Sequence, residues 1–154
     1  MRKHITIIGV GLLLITLSLS GCEILEEEED YITVVVVADI LVGLLDYQGY
    51  PLEIDFAEGV PIQITMTKDG GERTILDRVT NTIGGVDGAT GTFKVYREQP
   101  VECSAVALGS YKDYAPVAPD YDTLSWEQID AAADFGGTYT WKVSLFIQLK
   151  KTEP

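Results

Sequence analysis

The sequence predicts an all-β chain, an antiparallel β-sandwich with one short α-helix before the last strand. Three observations predict it. Val60 to Lys68 and Tyr139 to Leu149 alternate apolar and polar residues with the period of a strand that buries one face. Turn clusters of Gly, Asp and Pro cut the chain into about six such short segments. Between them, nothing has the length and period of the helical crossovers that connect a parallel sheet.

The first element is not part of the sandwich. Arg2, Lys3 and His4 form a basic start, and Ile5 to Leu19 then run fifteen residues without a charge. That pattern suits a secretory signal peptide, and the run is short of the roughly 20 apolar residues of a bilayer span. It ends in Leu19, Ser20, Gly21 and Cys22, which resembles the lipobox of prokaryotic lipoproteins: an aliphatic residue, two small ones and a cysteine. The resemblance implies cleavage before Cys22 and lipidation of its thiol. An uncleaved membrane anchor is the rival reading, and both hold the domain on a membrane, outside the cytoplasm.

Residues 1–21 are therefore read as a lipoprotein signal peptide, 22–30 as an acidic tether and 31–154 as the sandwich domain. Stable anchoring takes more than one acyl chain, which lipoprotein processing supplies by the resemblance. Glu23 to Asp30 include six acidic residues in eight. Fully extended, they span about 26 to 29 Å, so the domain stays near the bilayer while charge repulsion holds the tether away from anionic headgroups.

Tyr31 to Leu45 is the first strand candidate. Val60, Ile62, Ile64 and Met66 alternate with Pro61, Gln63, Thr65 and Thr67 in the next, Lys68 to Gly71 supply a hairpin turn, and Arg73 to Thr82 returns. Ile83 to Gly88 reads as a turn, with strands following over Thr90 to Tyr96 and Val101 to Leu108. Ser125 is an N-cap for a helix over Trp126 to Phe135, with Gln128 completing a capping box, Leu124 and Ile129 a hydrophobic staple, and Gly136 the stop. Tyr139, Trp141, Val143, Leu145, Ile147 and Leu149 share one face of the last strand, with Trp141 as a core anchor.

Length and charge bound the function. Removing the first 21 of 154 residues leaves 133, enough for one ordinary domain. Without Arg2 and Lys3 the chain carries 9 basic against 24 acidic residues, a formal charge of −15. Such a surface repels nucleic acid and anionic lipid. The single histidine, His4, lies in the leader, so the domain has no imidazole for a catalytic triad or a zinc site. No nucleophile elbow surrounds Ser104, Ser110, Ser125 or Ser144, and no phosphate-cradling glycine loop is present. An enzyme is not expected, nor is a cofactor or a bound nucleotide. Cys103 shares a face with Val101, Ala105 and Ala107 and reads as a small buried thiol, with a disulfide to Cys22 as the alternative to lipidation.

The residues Gly43, Leu45, Asp46, Gly49, Pro51 and Leu52, then Gly59, Val60, Ile62 and Ile64, resemble the opening of the carboxypeptidase regulatory-like group of transthyretin-like sandwiches. Asp87, Gly88, Gly91 and Phe93 resemble that group's turn into a later strand. Glu53 to Glu58, and Ala89 with Thr90, interrupt the likeness, which spans about Val34 to Leu108. An Ig-like sandwich fits the same alternation. The resemblance implies a structural or interaction module without chemistry of its own.

Gly109 to Trp126 is the least regular stretch and reads as a long loop of the kind that carries function on a rigid scaffold. Tyr111, Tyr114, Tyr121 and Trp126 are candidates for an aromatic platform under a sugar ring or a peptide, or for rings that pin the loop down. Asp113, Asp120, Asp122 and Glu127 are candidate oxygen ligands for calcium, or turn residues bonded to their own backbone. The expected role is a membrane-anchored, non-enzymatic structural or protein-interaction module of the cell envelope, contacting its neighbour through sheet edges or this loop. The alternatives are a carbohydrate-binding surface lipoprotein and a calcium-stabilised surface domain.

Overall fold

The computed structural model describes residues 30–52, 56–132 and 136–154. It contains β1 (Tyr31–Leu45), β2 (Pro61–Lys68), β3 (Arg73–Val79), β4 (Gly85–Tyr96), β5 (Val101–Ala107), β6 (Tyr114–Pro116), β7 (Asp120–Leu124), α1 (Trp126–Ala132) and β8 (Thr138–Lys151). Two four-stranded sheets pack face to face, in the orders β4-β1-β8-β6 and β3-β2-β5-β7. The chain is the all-β sandwich that its alternation predicts.

The core is the inner face of both sheets. Ile32, Val34, Val36, Ala38, Ile40, Val42 and Leu44 of β1 are buried, as are Trp141, Val143, Leu145, Ile147 and Leu149 of β8. Opposite them lie Ile62, Ile64 and Met66 of β2 and Val101, Cys103, Ala105 and Ala107 of β5. Period-two alternation puts every second side chain in this layer, and each fully buried Val, Ile, Leu or Phe contributes roughly 1.5 to 3 kcal/mol before conformational entropy is charged.

One pairing departs from the antiparallel expectation. β1 and β8 run parallel, from Thr33 opposite Thr138 to Leu45 opposite Lys150; β1–β4, β2–β3, β2–β5, β5–β7 and β6–β8 are antiparallel. The chain returns on β7 to the end of the sandwich where β1 begins, passes through α1, and starts β8 beside β1. Gly136 stands at φ +75 there and donates its N–H to the Tyr31 carbonyl at 2.6 Å. Alternation reports which face is buried and is indifferent to strand direction.

Two further expectations are corrected. The turn expected over Ile83 to Gly88 lies earlier: Asn81 Oδ1 accepts the N–H of Ile83 and Gly85, Gly84 takes φ +70, and β4 already begins at Gly85. Gly88 instead forms a β-bulge against β1. The register shifts between Ala38 and Ile40, Gly88 takes φ +65, and its N–H donates to Asp39 Oδ1 at 2.8 Å. The stretch Gly109 to Trp126 is not one loop: β6 closes the edge of the first sheet and β7 the edge of the second. Prolines and aspartates at their ends hide these short strands from a propensity reading. The helix appears with its capping box, Ser125 N–H donating to Gln128 Oε1 at 2.9 Å, and with Leu124 and Ile129 buried. Phe135 lies outside the described residues.

Candidate functional site

The crossover between the two sheets holds most of the residues singled out from the sequence, and the fold separates them. Tyr111 and Tyr114 exchange backbone hydrogen bonds at 2.9 Å across a tight turn, in which Lys112 has φ +52. Tyr114 pairs with Lys151 at the end of β8. Both rings pack partly buried against the core, and the Tyr111 hydroxyl donates to the Phe56 carbonyl at 3.1 Å. Trp126 also packs on the core, but in α1, at the opposite end of the sandwich where β8 begins. The length of β8 separates the two ends, roughly 43 Å. Tyr121, 67% exposed and opposite Ser104, is the one ring of the four that stands in solvent.

The four carboxylates are likewise apart. Asp113 lies 3.6 Å from Lys151 Nζ. Asp120 accepts from the Phe146 N–H at 2.8 Å and from the Tyr121 N–H at 3.0 Å. Asp122 bonds the Thr123 N–H at 2.8 Å. Glu127 lies in the first turn of α1, where hydrogen bonding from Ser125 holds its carboxyl below the usual glutamate range. Among the described residues no group of three or more Asp, Glu, Cys or His converges on one point.

Cys103 has a relative exposure of 0%. Burial first, then the charges of Asp122 and Glu102, push its thiol up to about 12, so it stays protonated and unreactive at neutral pH. Cys22, the expected lipidation site, lies outside the described residues, as do the leader and residues 22–29 of the tether. No helix of the described residues is long and apolar enough to cross a membrane.

Two surface features escape a reading of the sequence. At the end of the sandwich away from Asp30, the Asp46 turn, the segment around Phe56 and the Asn81 turn meet: Val42 N–H donates to the Gly84 carbonyl, Leu52 N–H donates to the Leu44 carbonyl, and a Cβ on Gly84 would lie 3.2 Å from the Ala57 nitrogen. Tyr47, Tyr50, Leu52, Phe56, Ile83 and Leu108 are exposed at this end. The signal was available in the turn Tyr47-Gln48-Gly49-Tyr50-Pro51-Leu52, which carries large apolar residues where small polar ones suffice. Asp46 organises that turn, accepting the N–H of Gln48, Gly49 and Tyr50 through one oxygen at 2.7 to 2.9 Å. At the other end, Thr67, Asp69, Gly70, Pro100, Glu102 and Thr123 line a shallow depression of about 340 Å³.

The arrangement exposes large apolar side chains at one end and a shallow depression at the other. Compared with known proteins, the chain matches no family model, no curated protein and no solved structure.

Proposed function

We propose that the chain is a membrane-anchored extracytoplasmic lipoprotein whose sandwich is a non-enzymatic structural or protein-interaction module of the cell envelope. The anchoring half rests on the order of basic start, apolar run and lipobox ending in Cys22. The interaction half rests on one observation: the described chain enters the domain at Asp30, and six large apolar side chains stand exposed at the end of β1 away from it. The length of β1 separates the two, roughly 45 to 50 Å. Large apolar side chains gathered in the open at one end of a domain support a contact with another molecule there.

The resemblance to the carboxypeptidase regulatory-like, transthyretin-like group belongs to the same reading and gains support from the sandwich itself. Its motif residues have structural duties here. Asp46 holds the turn after the opening strand, Gly49 and Gly59 take φ +99 and +83, and Gly43 and Gly91 face side chains that a Cβ would meet. These are the duties of a scaffold rather than of a reacting site.

The reading is tested by replacing Tyr50 with a photo-crosslinking amino acid in the full chain, expressed in its membrane. A discrete adduct with an envelope protein is expected from this position and not from the same replacement at Thr140 on the opposite half of the domain. Equal labelling from both positions, or none from either, would refute the interaction half.

A further inference from the structure

Among the described residues the second sheet ends at β3, which pairs there with β2 alone. Lys68 N–H donates to the Glu72 carbonyl and Thr80 N–H to Val60 at the two ends of this pairing, so even-numbered residues of β3 turn their backbone groups to β2. Arg73, Ile75, Asp77 and Val79 therefore present theirs at the free edge. All four side chains are exposed, Ile75 at 50% and Val79 at 63%. The other long edge is guarded: on β4, Lys68 Nζ donates to the Lys94 carbonyl, Gln99 Oε1 accepts the Tyr96 N–H, and the Gly88 bulge interrupts the strand.

We propose that β3 pairs antiparallel with β3 of a second copy of this chain, about a two-fold axis through Ile75. Charge complementarity selects both the partner and the register. With the axis at Ile75, Ile75 faces Ile75, Arg73 faces Asp77 and Glu72 faces Arg78, each charge pair occurring twice by symmetry. Ile75, Arg73 and Asp77 are edge-facing residues, so each facing pair exchanges both of its backbone hydrogen bonds. Shifting the axis to Leu76 sets Ile75 against Asp77, and shifting it to Asp77 sets like charges opposite, which is unfavourable. Two of the chain's four arginines lie on this seven-residue strand of an otherwise acidic protein.

In the single chain the Arg78 guanidinium covers the Asp77 carbonyl at 2.9 Å. Pairing hands that carbonyl to the Arg73 N–H of the second copy and frees Arg78 for Glu72. The two second sheets become one continuous sheet of eight strands. The two Asp30 residues then lie at opposite ends of the paired strands.

The test is the mass of the full chain in detergent by sedimentation, across a wide concentration range. The wild type is expected at twice the mass of one chain. Arg73→Asp and Asp77→Arg each place two like-charge pairs across the axis, and each should weaken pairing on the order of tenfold or more. An equimolar mixture of these two variants should regain the dimer, because the carboxylate introduced in one chain then faces the guanidinium introduced in the other. Ile75→Lys, which sets two ammonium groups against each other, should also give single chains, with circular dichroism unchanged in every variant. A wild type of single-chain mass throughout, or a mixture that fails to recover the dimer from folded variants, would overturn the proposal.

Discussion

Asp120 Oδ2 accepts the backbone N–H of Phe146 at 2.8 Å, across the gap that β6 leaves open along β8. β6 covers β8 only as far as Leu149, and Val117 N–H adds a bond to Gln148. The next N–H of β8 facing that side is satisfied by a side chain from the first residue of the opposite sheet's edge strand. One carboxylate thus joins the two sheets at their shared margin.

Replacing Asp120 with Ala removes the acceptor of two backbone N–H groups, Phe146 and Tyr121. Both are exposed and can turn to water, so the cost is about 1.5 kcal/mol, at the low end for a charged acceptor. Chemical denaturation of the variant should show a lower midpoint at unchanged slope.

The same carboxylate bears on calcium. Asp113, Asp120, Asp122 and Glu127 are each engaged with a different partner. A chelator is therefore expected to leave the melting temperature where it was. A drop on chelation that added calcium reverses would establish a site that links binding to folding.

Among the described residues, Thr80 is the buried polar side chain. Its hydroxyl donates to the Ala57 carbonyl and accepts the Val60 N–H at 2.9 Å, tying the segment before β2 to the end of β3. Thr80→Val keeps the shape and strands both partners, at about 2 to 3 kcal/mol. Thr80→Ser keeps the hydroxyl and should lose less than half of that, as read from the two melting curves.

Two glycines in strands differ in what they face. A Cβ on Gly91 would lie 2.6 Å from Met66 Sδ, and Met66 is fully buried. Gly91→Ala overpacks the core and should cost roughly 1 to 3 kcal/mol. A Cβ on Gly43 would meet the Phe146 ring, which is half exposed and free to swing outward. Gly43→Ala should be nearly neutral, with the contrast measured by denaturant unfolding of both variants.

Cys103 gives a prediction in pH. Its folded-state thiol is pushed up to about 12 against an ordinary value of 9.0, chiefly by burial. The unfolded chain releases this proton first, so the contribution to stability is complete below pH 9 and is lost as pH rises toward 12. Cys103→Ala should flatten that part of the stability profile, and thiol reagents should label Cys103 of the wild type only on unfolding.

What was legible in the sequence follows from what periodicity encodes. β1 covers the strand candidate Tyr31 to Leu45. The inward face of β8, the burial of Cys103 and Trp141, and the capping box of α1 were equally readable, because each depends on local pattern. Direction was not: the parallel β1–β8 pair is made by a connection through α1 that leaves no trace in either strand. β6 and β7 were hidden by Pro116, Pro119, Asp120 and Asp122, since edge strands tolerate residues that interior strands reject. The candidate rings and carboxylates were close in sequence, but the chain between them crosses from one sheet to the other. The apolar end built from Tyr50, Phe56 and Ile83 joins three separated turns, which only the fold brings together.

Anchor and interaction surface are tested together by cross-linking the full chain in its membrane, followed by mass spectrometry of the Cys22 peptide and of every adduct. The expected result is a chain that begins at a lipid-modified Cys22 and carries a protein neighbour cross-linked through the apolar end at Tyr50 or Phe56. A chain that still begins at Met1 with an unmodified Cys22 would contradict the anchor, and a lipidated chain with no protein adduct at that end would contradict the interaction module.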